Sequence, residues 1–211
     1  MPGSGRLIAP GFFLRPVQEV APDLLGRHLC RDGVALRITE VEAYAGPEDS
    51  ASHCRYGRTR RNAPMWEAGG LAYLYFCYGM HHMLNIVTGP ADRGEAVLVR
   101  SCEVVRGLEQ VRLRRGGLDG PVLLTGPGKV AQALDLDLGF SGHPLFRRGG
   151  LELRLGDPGG AILCGPRVGI DFAHPEHRAL PWRFALAGTP WVSQRRTLLA
   201  AAANRPRAGG S

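Results

Sequence analysis

Alternation of apolar and polar residues is the main pattern along the middle of the chain, and its period of two is that of a β-strand. Residues 35–44 alternate in this way, and Gly46-Pro47 ends the run. Residues 71–78 predict a second strand, and residues 84–88 are predicted to form a hairpin with 96–101. Four further short strands are predicted at 151–155, 161–164, 166–171 and 182–187.

Helical patterns are fewer and shorter. A helix is predicted to begin at Ala21-Pro22 and to run to about Cys30, because proline favours the first helical turn. Two more helices are predicted at 103–115 and 127–136. The strands come in groups without regular helical alternation, which favours the α+β class with a largely antiparallel sheet.

The size and composition of the chain predict one folded domain. It has 211 residues, of which 44% are hydrophobic and 21% charged, and no break in composition divides it. We therefore predict a single domain over residues 1–211, with a core at about 10–195 and flexible ends, including residues 200–211. The chain contains no apolar run of about 18 residues and no signal-like start, so a soluble, cytoplasmic protein without a membrane partner is expected.

Positive charge is carried almost entirely by arginine. The formal net charge is +7, the isoelectric point is near 9.6, and Lys129 is the only lysine. Guanidinium groups bind phosphate bidentately and stack on flat groups, which favours a nucleic-acid partner. A GC-rich genome would also raise arginine, glycine, alanine and proline together, so composition alone leaves both explanations open.

Metal binding is not expected. The chain offers suitable ligand types in one region, namely His53, Cys54, Cys77, His81 and His82. None of them stands in a recognised zinc-binding spacing. The five cysteines are odd in number and lack Cys-x-x-Cys spacing, so we expect reduced thiols and no cofactor.

Glu42 is the first candidate for chemistry. It shares strand parity with Glu40, Leu36 and Ile38, so both carboxylates are predicted to lie on the face that the start of the strand would bury. Burial is unfavourable for a carboxylate unless that face opens into a site. A partly desolvated carboxylate is a useful base for activating water. An exposed glutamate or a buried ion pair with an arginine would explain the same pattern.

Four of the five tyrosines, at positions 44, 73, 75 and 78, lie close together in the sequence. Two flat, electron-rich faces around one slot would bind a purine, and a cationic purine best. His53 follows Glu42 by eleven positions across a turn, so the chain can bring it to the same pocket. Packing of tyrosines in a core and a structural role for the histidine remain alternatives. The Tyr78-Gly79-Met80 turn fits a side chain that is inserted into a duplex.

A short basic run follows His53, and it contains Arg55, Arg58, Arg60 and Arg61. A solvated loop is the usual explanation for such a run. The more specific explanation is contact with the phosphate backbone of a nucleic acid, and the neighbouring tyrosines favour this explanation.

In their order along the chain, these residues resemble the alkyladenine (3-methyladenine) DNA glycosylases of the methylpurine type. The resemblance covers about residues 10–195. It rests on Leu24-Leu25-Gly26, Glu40-Val41-Glu42-Ala43-Tyr44-x-Gly46-Pro47-x-Asp49-x-Ala51-x-His53, Arg61-Asn62-x-x-Met65, Tyr73-x-Tyr75-x-x-Tyr78-Gly79-Met80, Asn85, Leu98-x-Arg100, Gly126-Pro127-x-Lys129 and Gly188-x-Pro190-Trp191-Val192-Ser193.

The resemblance implies a single α+β domain with a curved antiparallel sheet, surrounding helices and a hairpin that inserts into DNA. It implies a monomeric enzyme of base excision repair that acts on double-stranded DNA with a damaged purine. The enzyme flips the nucleotide out and hydrolyses its N-glycosidic bond. Alkylated or deaminated purines are the implied substrates: 3-methyladenine, 7-methylguanine, hypoxanthine and ethenoadenine.

The resemblance also implies a role for each matched residue. Glu42 would be the general base that orients water, and Arg100 would help to fix that water. Tyr78, with Met80 beside it, would intercalate at the vacated position. Tyr44, His53 and Tyr75 would line the slot that holds the base. Asn85 would lie at the floor of this slot and discriminate against the 2-amino group of normal guanine. Lys129 would contact a DNA phosphate.

A lyase mechanism through a Schiff base needs an amine beside C1′, and only Lys129 or the amine of Pro2 is available. We therefore expect a monofunctional enzyme. From another class of function, a non-catalytic nucleic-acid-binding module could use the same arginines and tyrosines. The chain departs from the mammalian pattern at His81-His82 and in the 89–94 connection, which leaves the preferred lesion open.

Overall fold

Nine strands and four α-helices make up the part of the chain that the structure, a computed structural model, describes: residues 5–77, 79–157 and 159–200. The strands are β1 (His28–Arg31), β2 (Val34–Ala45), β3 (Ala72–Cys77), β4 (His81–Thr88), β5 (Glu95–Arg106), β6 (Glu152–Arg154), β7 (Ile162–Gly165), β8 (Arg183–Leu186) and β9 (Leu199–Ala200). The helices are α1 (Val17–Leu24), α2 (Leu108–Arg114), α3 (Pro127–Ala133) and α4 (Pro175–Arg178).

All nine strands belong to one antiparallel sheet. Its main path runs β3-β4-β5-β2-β8-β7-β9, and β1 joins β2 to β6 beside this path. The two long strands β2 and β5 form the centre, where they pair over most of their length. The sheet is open, because the path ends at β3 on one side and β9 on the other. The predicted α+β class, single domain and largely antiparallel sheet are confirmed.

The main hydrophobic core lies between the central strands and helices α1 and α3. Helix α1 buries Val17, Val20, Ala21 and Leu24, whose i, i+3, i+4, i+7 spacing places them on one face. These side chains pack with those of β2 and β5 in a single buried cluster. The face of α3 that carries Val130 completes that cluster.

All three helix predictions had wrong bounds, and α3 ends at Ala133 rather than at residue 136. Helix α1 begins at Val17 rather than at Ala21-Pro22, so Pro22 lies inside the helix and not in its first turn. It ends at Leu24 rather than near Cys30, since Gly26 has a φ of +81° and the chain then enters β1. Residues 28–30, predicted as helix, therefore belong to strand β1. Helix α2 begins at Leu108 rather than Glu103, because β5 continues beside β2 as far as Arg106. A left-handed glycine, Gly107, separates strand from helix.

The predicted strand at 166–171 is not formed. Five of the other predicted strands lie within one residue of their expected positions, whereas β4 begins three residues earlier and β5 ends five residues later than predicted. The hairpin of β4 and β5 is present, with Thr88 opposite Glu95. In the 166–171 segment, the backbone N–H of Val168 donates to a glutamate side chain instead of to a neighbouring strand. This segment therefore contributes directly to the site.

Some predictions concern residues outside the described ranges. They include Tyr78 and the chain ends up to residue 4 and from residue 201. Within the described ranges, every helix is too short or too polar to cross a bilayer.

Candidate active site

The carboxylate of Glu42 lies at the centre of the site and has no exposed surface. Its Oε1 accepts a 2.8 Å hydrogen bond from the backbone N–H of Val168 and lies 3.2 Å from Nη1 of Arg100. Its Oε2 accepts a 2.9 Å hydrogen bond from the hydroxyl of Tyr44. Donors therefore meet both oxygens, which suits an ionised carboxylate because that group only accepts.

An irregularity in the pairing of β2 with β5 directs Glu42 into the site. The main core contains Leu36 and Ile38 from the first half of β2, but Val41 and Ala43 from the second half. The register between the two strands shifts between these halves, as it does at a β-bulge. The core-facing positions of β2 thus change from even numbers to odd numbers along the strand. The prediction that Glu40 and Glu42 share a face with Leu36 and Ile38 is therefore wrong.

Arg100 joins two carboxylates of the same strand. Its Nε donates to Oε1 of Glu40 at 3.2 Å, and its Nη1 lies 3.2 Å from Oε1 of Glu42. Burial by itself lowers the pKa of Arg100, but the charges of Glu42 and Glu40 outweigh burial and raise it. Arg100 is therefore a fixed cation beside the Glu42 carboxylate at any physiological pH.

A cavity of about 300 Å³ opens next to this pair, which is the lower end of the usual range for small-molecule sites. Four of the predicted site residues line it: Tyr44, His53, Tyr75 and Arg100. Glu42 does not line it, but Tyr44, Arg100 and Val168, which contact its carboxylate, all do. The remaining lining residues are Ala51, Met65, Cys77, Met83, Leu98, Pro127, Val168, Gly169, Ile170 and Phe172.

His53 and the tyrosines of β3 form one aromatic group. The imidazole meets the ring of Tyr75 edge to face at 4.3 Å, and its Nδ1 is 3.0 Å from the hydroxyl of Tyr73. Tyr73 is buried in a small core cluster, so the alternative of core packing holds for this tyrosine. Tyr75 is half-buried and faces the cavity. Burial raises the pKa of the Tyr75 hydroxyl, which stays neutral.

His53 is uncharged at neutral pH. Burial among the rings, with the positive charges of Arg61 and Arg55, lowers its pKa to about 4. A neutral imidazole at the cavity wall adds no repulsion toward a cationic ring. It keeps one ring nitrogen as an acceptor and one as a donor.

Lowering the pH from 7 to 5 is expected to destabilise the wild type more than a His53→Gln variant. The folded pKa lies near 4 and the unfolded value near 6.5, so between them only the unfolded state binds the proton. This contribution to stability is complete above pH 6.5 and is lost as the pH falls toward 4. Because the side chain is exposed to the cavity, we expect a difference of about 1 kcal/mol, or ~2–4 °C in Tm.

Thermal unfolding of both proteins at pH 7 and pH 5 measures this difference. A His174→Gln variant, which changes an exposed histidine, is the matched control and should behave as the wild type. Equal losses of Tm in the wild type and His53→Gln would contradict the prediction.

Asn85 lies beneath the slot rather than on its surface. It pairs with Tyr73 across β3 and β4, and its Nδ2 donates to the carbonyls of Tyr73 at 3.1 Å and Met83 at 3.4 Å. The cavity lining at this point is formed by Met83 and Leu98. Discrimination against guanine by Asn85 stays a prediction.

Several residues of the site carried no recognisable signal in the sequence. Val168 and Phe172 belong to the segment that was predicted as a strand or was left unassigned, and both line the cavity. Arg167 lies behind Tyr44, with its guanidinium carbon 4.8 Å from the ring centroid. A lone aromatic in a Gly-Ile-Asp-Phe stretch, such as Phe172, is the single hint that the sequence offered.

The predicted DNA-backbone residues divide into three groups. Arg55 stacks on Phe172 at 5.0 Å, and Arg61 lies 5.7 Å from the Tyr75 ring, so both belong to the mouth of the cavity. Arg58 and Arg60 are exposed, and Arg58 pairs with Glu67 at 2.8 Å. Lys129 is half-buried in the first turn of α3, where burial and then the charge of Arg115 lower its pKa.

The hairpin of β3 and β4 exposes large side chains close to its turn. Met80 is 70% exposed and Phe76 is 45% exposed. The ring of Phe76 lies 5.0 Å from that of His82. Exposed apolar groups at a hairpin end suit insertion between bases, the role predicted for Met80.

The candidate metal ligands do not come together. In the described part of the chain, the single group of three ligand types within 4.8 Å of one another is His174, Glu176 and His177, at the surface around α4. The Nδ1 of His177 already accepts a hydrogen bond from the backbone N–H of Ser50 at 3.1 Å. None of these residues lines the cavity beside Glu42.

A buried, hydrogen-bonded carboxylate and a fixed arginine stand behind an aromatic cavity, and further arginines surround its mouth. In a basic protein, this combination is the one expected of a nucleic-acid glycosylase, an enzyme that hydrolyses the bond between a nucleobase and its sugar.

Comparison with known proteins agrees with this class. A family model described as methylpurine-DNA glycosylase (MPG) matches residues 11–190. A relative in Arabidopsis thaliana named DNA-3-methyladenine glycosylase is 54% identical over 89% of this chain and 74% of its own length. Relatives in Nitrosococcus oceani and Streptomyces avermitilis, both provisionally named 3-methyladenine DNA glycosylase, are 57% and 44% identical. They cover 91% and 86% of this chain, and 96% and 88% of their own lengths.

The chain therefore belongs to the methylpurine-DNA glycosylase family, which is the family that its motifs resemble. The prediction of a DNA glycosylase of DNA repair, acting on damaged DNA, is confirmed over the alternative of a non-catalytic binding module.

Proposed function

We propose that this glycosylase flips damaged purines out of duplex DNA and releases them by hydrolysis. The proposed substrates are 3-methyladenine, 7-methylguanine, hypoxanthine and 1,N6-ethenoadenine. One observation carries the proposal: the buried Glu42 carboxylate lies directly behind a cavity whose walls include Tyr44, His53 and Tyr75. When a flipped base enters this cavity, the C1′ atom of its sugar comes close to the carboxylate.

The proposed chemistry follows from the charges at this point. Departure of the base builds positive oxocarbenium character on the sugar, which an adjacent carboxylate stabilises. Glu42 then accepts a proton from the attacking water, while Arg100 holds the carboxylate in place. The water becomes bonded to C1′, and the electron pair of the N-glycosidic bond leaves with the base.

Access of water to Glu42 needs one local rearrangement. The hydroxyl of Tyr44 donates a hydrogen bond to Oε2 of Glu42, and the side chain of Glu42 has no exposed surface. The proposed reaction therefore requires that the Tyr44 hydroxyl moves away from Oε2 of Glu42 when the nucleotide enters. Because Tyr44 is also a wall of the slot, the incoming base is the group that would move it.

Selection of the base rests on the aromatic walls. Electron-rich phenol rings attract a cationic alkylated purine more than a neutral one. The neutral state of His53 and of the Tyr75 hydroxyl is consistent with this preference. Tyr78 and Met80 would fill the space that the flipped nucleotide vacates, and the exposed Arg58 and Arg60 would contact phosphates.

We also propose a monofunctional reaction. Lys129 does not line the cavity, although Pro127 of the same helix does. An amine must attack C1′ to form a Schiff base, and no lysine among the described residues reaches the slot. The product would then be an intact abasic strand.

Base release from four duplexes tests the proposed function. Each duplex carries one of the four lesions, and the assay contains EDTA in place of metal. We expect release of at least 3-methyladenine, with abasic strands that stay uncleaved and form no covalent adduct with borohydride. The undamaged duplex is the control. Absence of release from all four duplexes would contradict the function, and a trapped adduct would contradict the monofunctional mechanism alone.

A further inference from the structure

A second carboxylate, Glu40, lies two residues before Glu42 and has no exposed surface. Five hydrogen-bond donors meet its two oxygens. Oε2 accepts from Ser101 Oγ at 2.7 Å and from the backbone N–H of Ser193 at 2.7 Å. Oε1 accepts from Arg100 Nε at 3.2 Å, Arg183 Nη1 at 3.0 Å and Ser193 Oγ at 2.9 Å. Of these donors, only Arg100 belongs to a residue that lines the cavity.

Glu40 and Glu42 hold the same guanidinium from two sides. The Nε edge of Arg100 faces Glu40, while Nη1 faces Glu42. The hydroxyl of Ser193 adds a contact of 3.4 Å to Nη2. A guanidinium fixed at three nitrogens has one orientation, so the contact with Glu42 is set by groups that never meet the cavity.

The other side of Glu40 is fixed by Arg183, the first residue of β8, and by the segment that follows this strand. Arg183 is fully buried and donates to Glu40, to the carbonyls of Pro166 and Ser193, and to the hydroxyl of Thr197. Two carboxylates and two guanidiniums thus share one buried network with no net formal charge. Loss of the charge of Glu40 leaves one cation in excess beside Glu42.

We propose that Glu40 is a positioning residue for base release, which acts by holding Arg100 in the orientation that supports Glu42. This inference rests on the proposed function. Its alternative is a purely structural role, in which Glu40 only ties the segment around Ser193 to the sheet. The two differ in what Glu40 does to the rate once the protein is folded.

The decisive variant is Glu40→Gln, which keeps the shape of the side chain and removes its charge. In single-turnover assays with excess enzyme, we expect the rate of base release to fall about 100-fold, the usual effect of a misplaced catalytic group. The dissociation constant for the undamaged duplex should stay within about twofold. Ser193→Ala removes only the bridging hydroxyl, and we expect it to lower the rate about fivefold.

Glu152→Gln is the matched control. Glu152 is also a largely buried glutamate on a strand, paired with Arg154, and it does not line the cavity. This variant should lose thermal stability without loss of rate. If Glu40→Gln and Ser193→Ala behave in the same way, the role of Glu40 is structural and the inference is wrong.

An Arg100→Met background separates the positioning role from any direct effect. There, adding Glu40→Gln should not lower the residual rate further, since the group through which Glu40 acts is gone. The same 100-fold loss in both backgrounds would overturn the proposal.

If Glu40→Gln does not fold, Ser193→Ala decides between the two roles, in the wild-type and Arg100→Met backgrounds. A wild type that releases no base would instead contradict the proposed function.

Discussion

Glu42→Gln is expected to lower the rate of base release by about 10³- to 10⁴-fold while DNA affinity stays within about twofold. Glutamine keeps an oxygen for the N–H of Val168 and a group to meet the Tyr44 hydroxyl, so the local structure should persist. What it lacks is the negative charge that stabilises the oxocarbenium ion and the basic oxygen that takes the proton of water.

Two measurements on the same duplex check this result. Single-turnover release of 3-methyladenine gives the rate, and titration of the undamaged duplex gives the dissociation constant. Glu103→Gln is the control, because Glu103 lies on β5 in a partly exposed pair with Arg37 at 3.4 Å. Retention of more than about a tenth of the wild-type rate by Glu42→Gln would show that another group acts as the base.

Asp49→Asn is expected to destabilise the fold by about 3–5 kcal/mol, which is the usual effect of removing one partner of a buried ion pair. Asp49 and Arg167 have side-chain exposures of 1% and 0%, and both guanidinium Nη atoms of Arg167 donate to the carboxylate. The Nε of Arg167 already lacks a partner in the described structure. Asparagine would therefore leave a buried cation with too few acceptors.

A fall in Tm of about 6–20 °C corresponds to this loss in a protein of this length. Arg167 also stacks on Tyr44 at 4.8 Å and on Trp182 at 5.2 Å, so the slot should loosen together with the fold. Arg178→Gln, which breaks an exposed pair with Asp171 in the same region, should change stability by less than about 1 kcal/mol. Similar losses in the two variants would contradict the special role of the buried pair.

The local pattern located most of the strands, because each depends mainly on its own residues, but it missed β1 and predicted a strand at 166–171 that is not formed. Strand β2 was predicted at 35–44 and extends over Val34–Ala45, and β3 was predicted almost to the residue. Helix bounds were less accurate, since the end of α1 depends on the backbone at Gly26 and the start of α2 on how far β5 follows β2. Both are long-range effects that a local window does not contain.

The candidate site shows the same division. Glu42, Tyr44, His53 and Tyr75 could be found because residues of telling chemistry stand close together in the sequence. Val168, Arg167, Phe172 and Glu40 could not be assigned from spacing. Their contacts join positions up to 153 residues apart, as between Glu40 and Ser193.

By itself, the sequence determined the class of fold, the family of the chain and the residue types of the site. Alternation, turn residues and motif order are local properties, and they survive without any knowledge of packing. Only the tertiary structure decided which face of β2 carries the carboxylates, because the register shift beside Glu40 reverses the parity on which sequence periodicity relies. It alone also revealed that Glu42 is fully buried behind Tyr44 and that Glu40 holds Arg100. Burial and charge balance belong to the packed protein, since they arise from groups that meet only when the sheet and its covering segments come together.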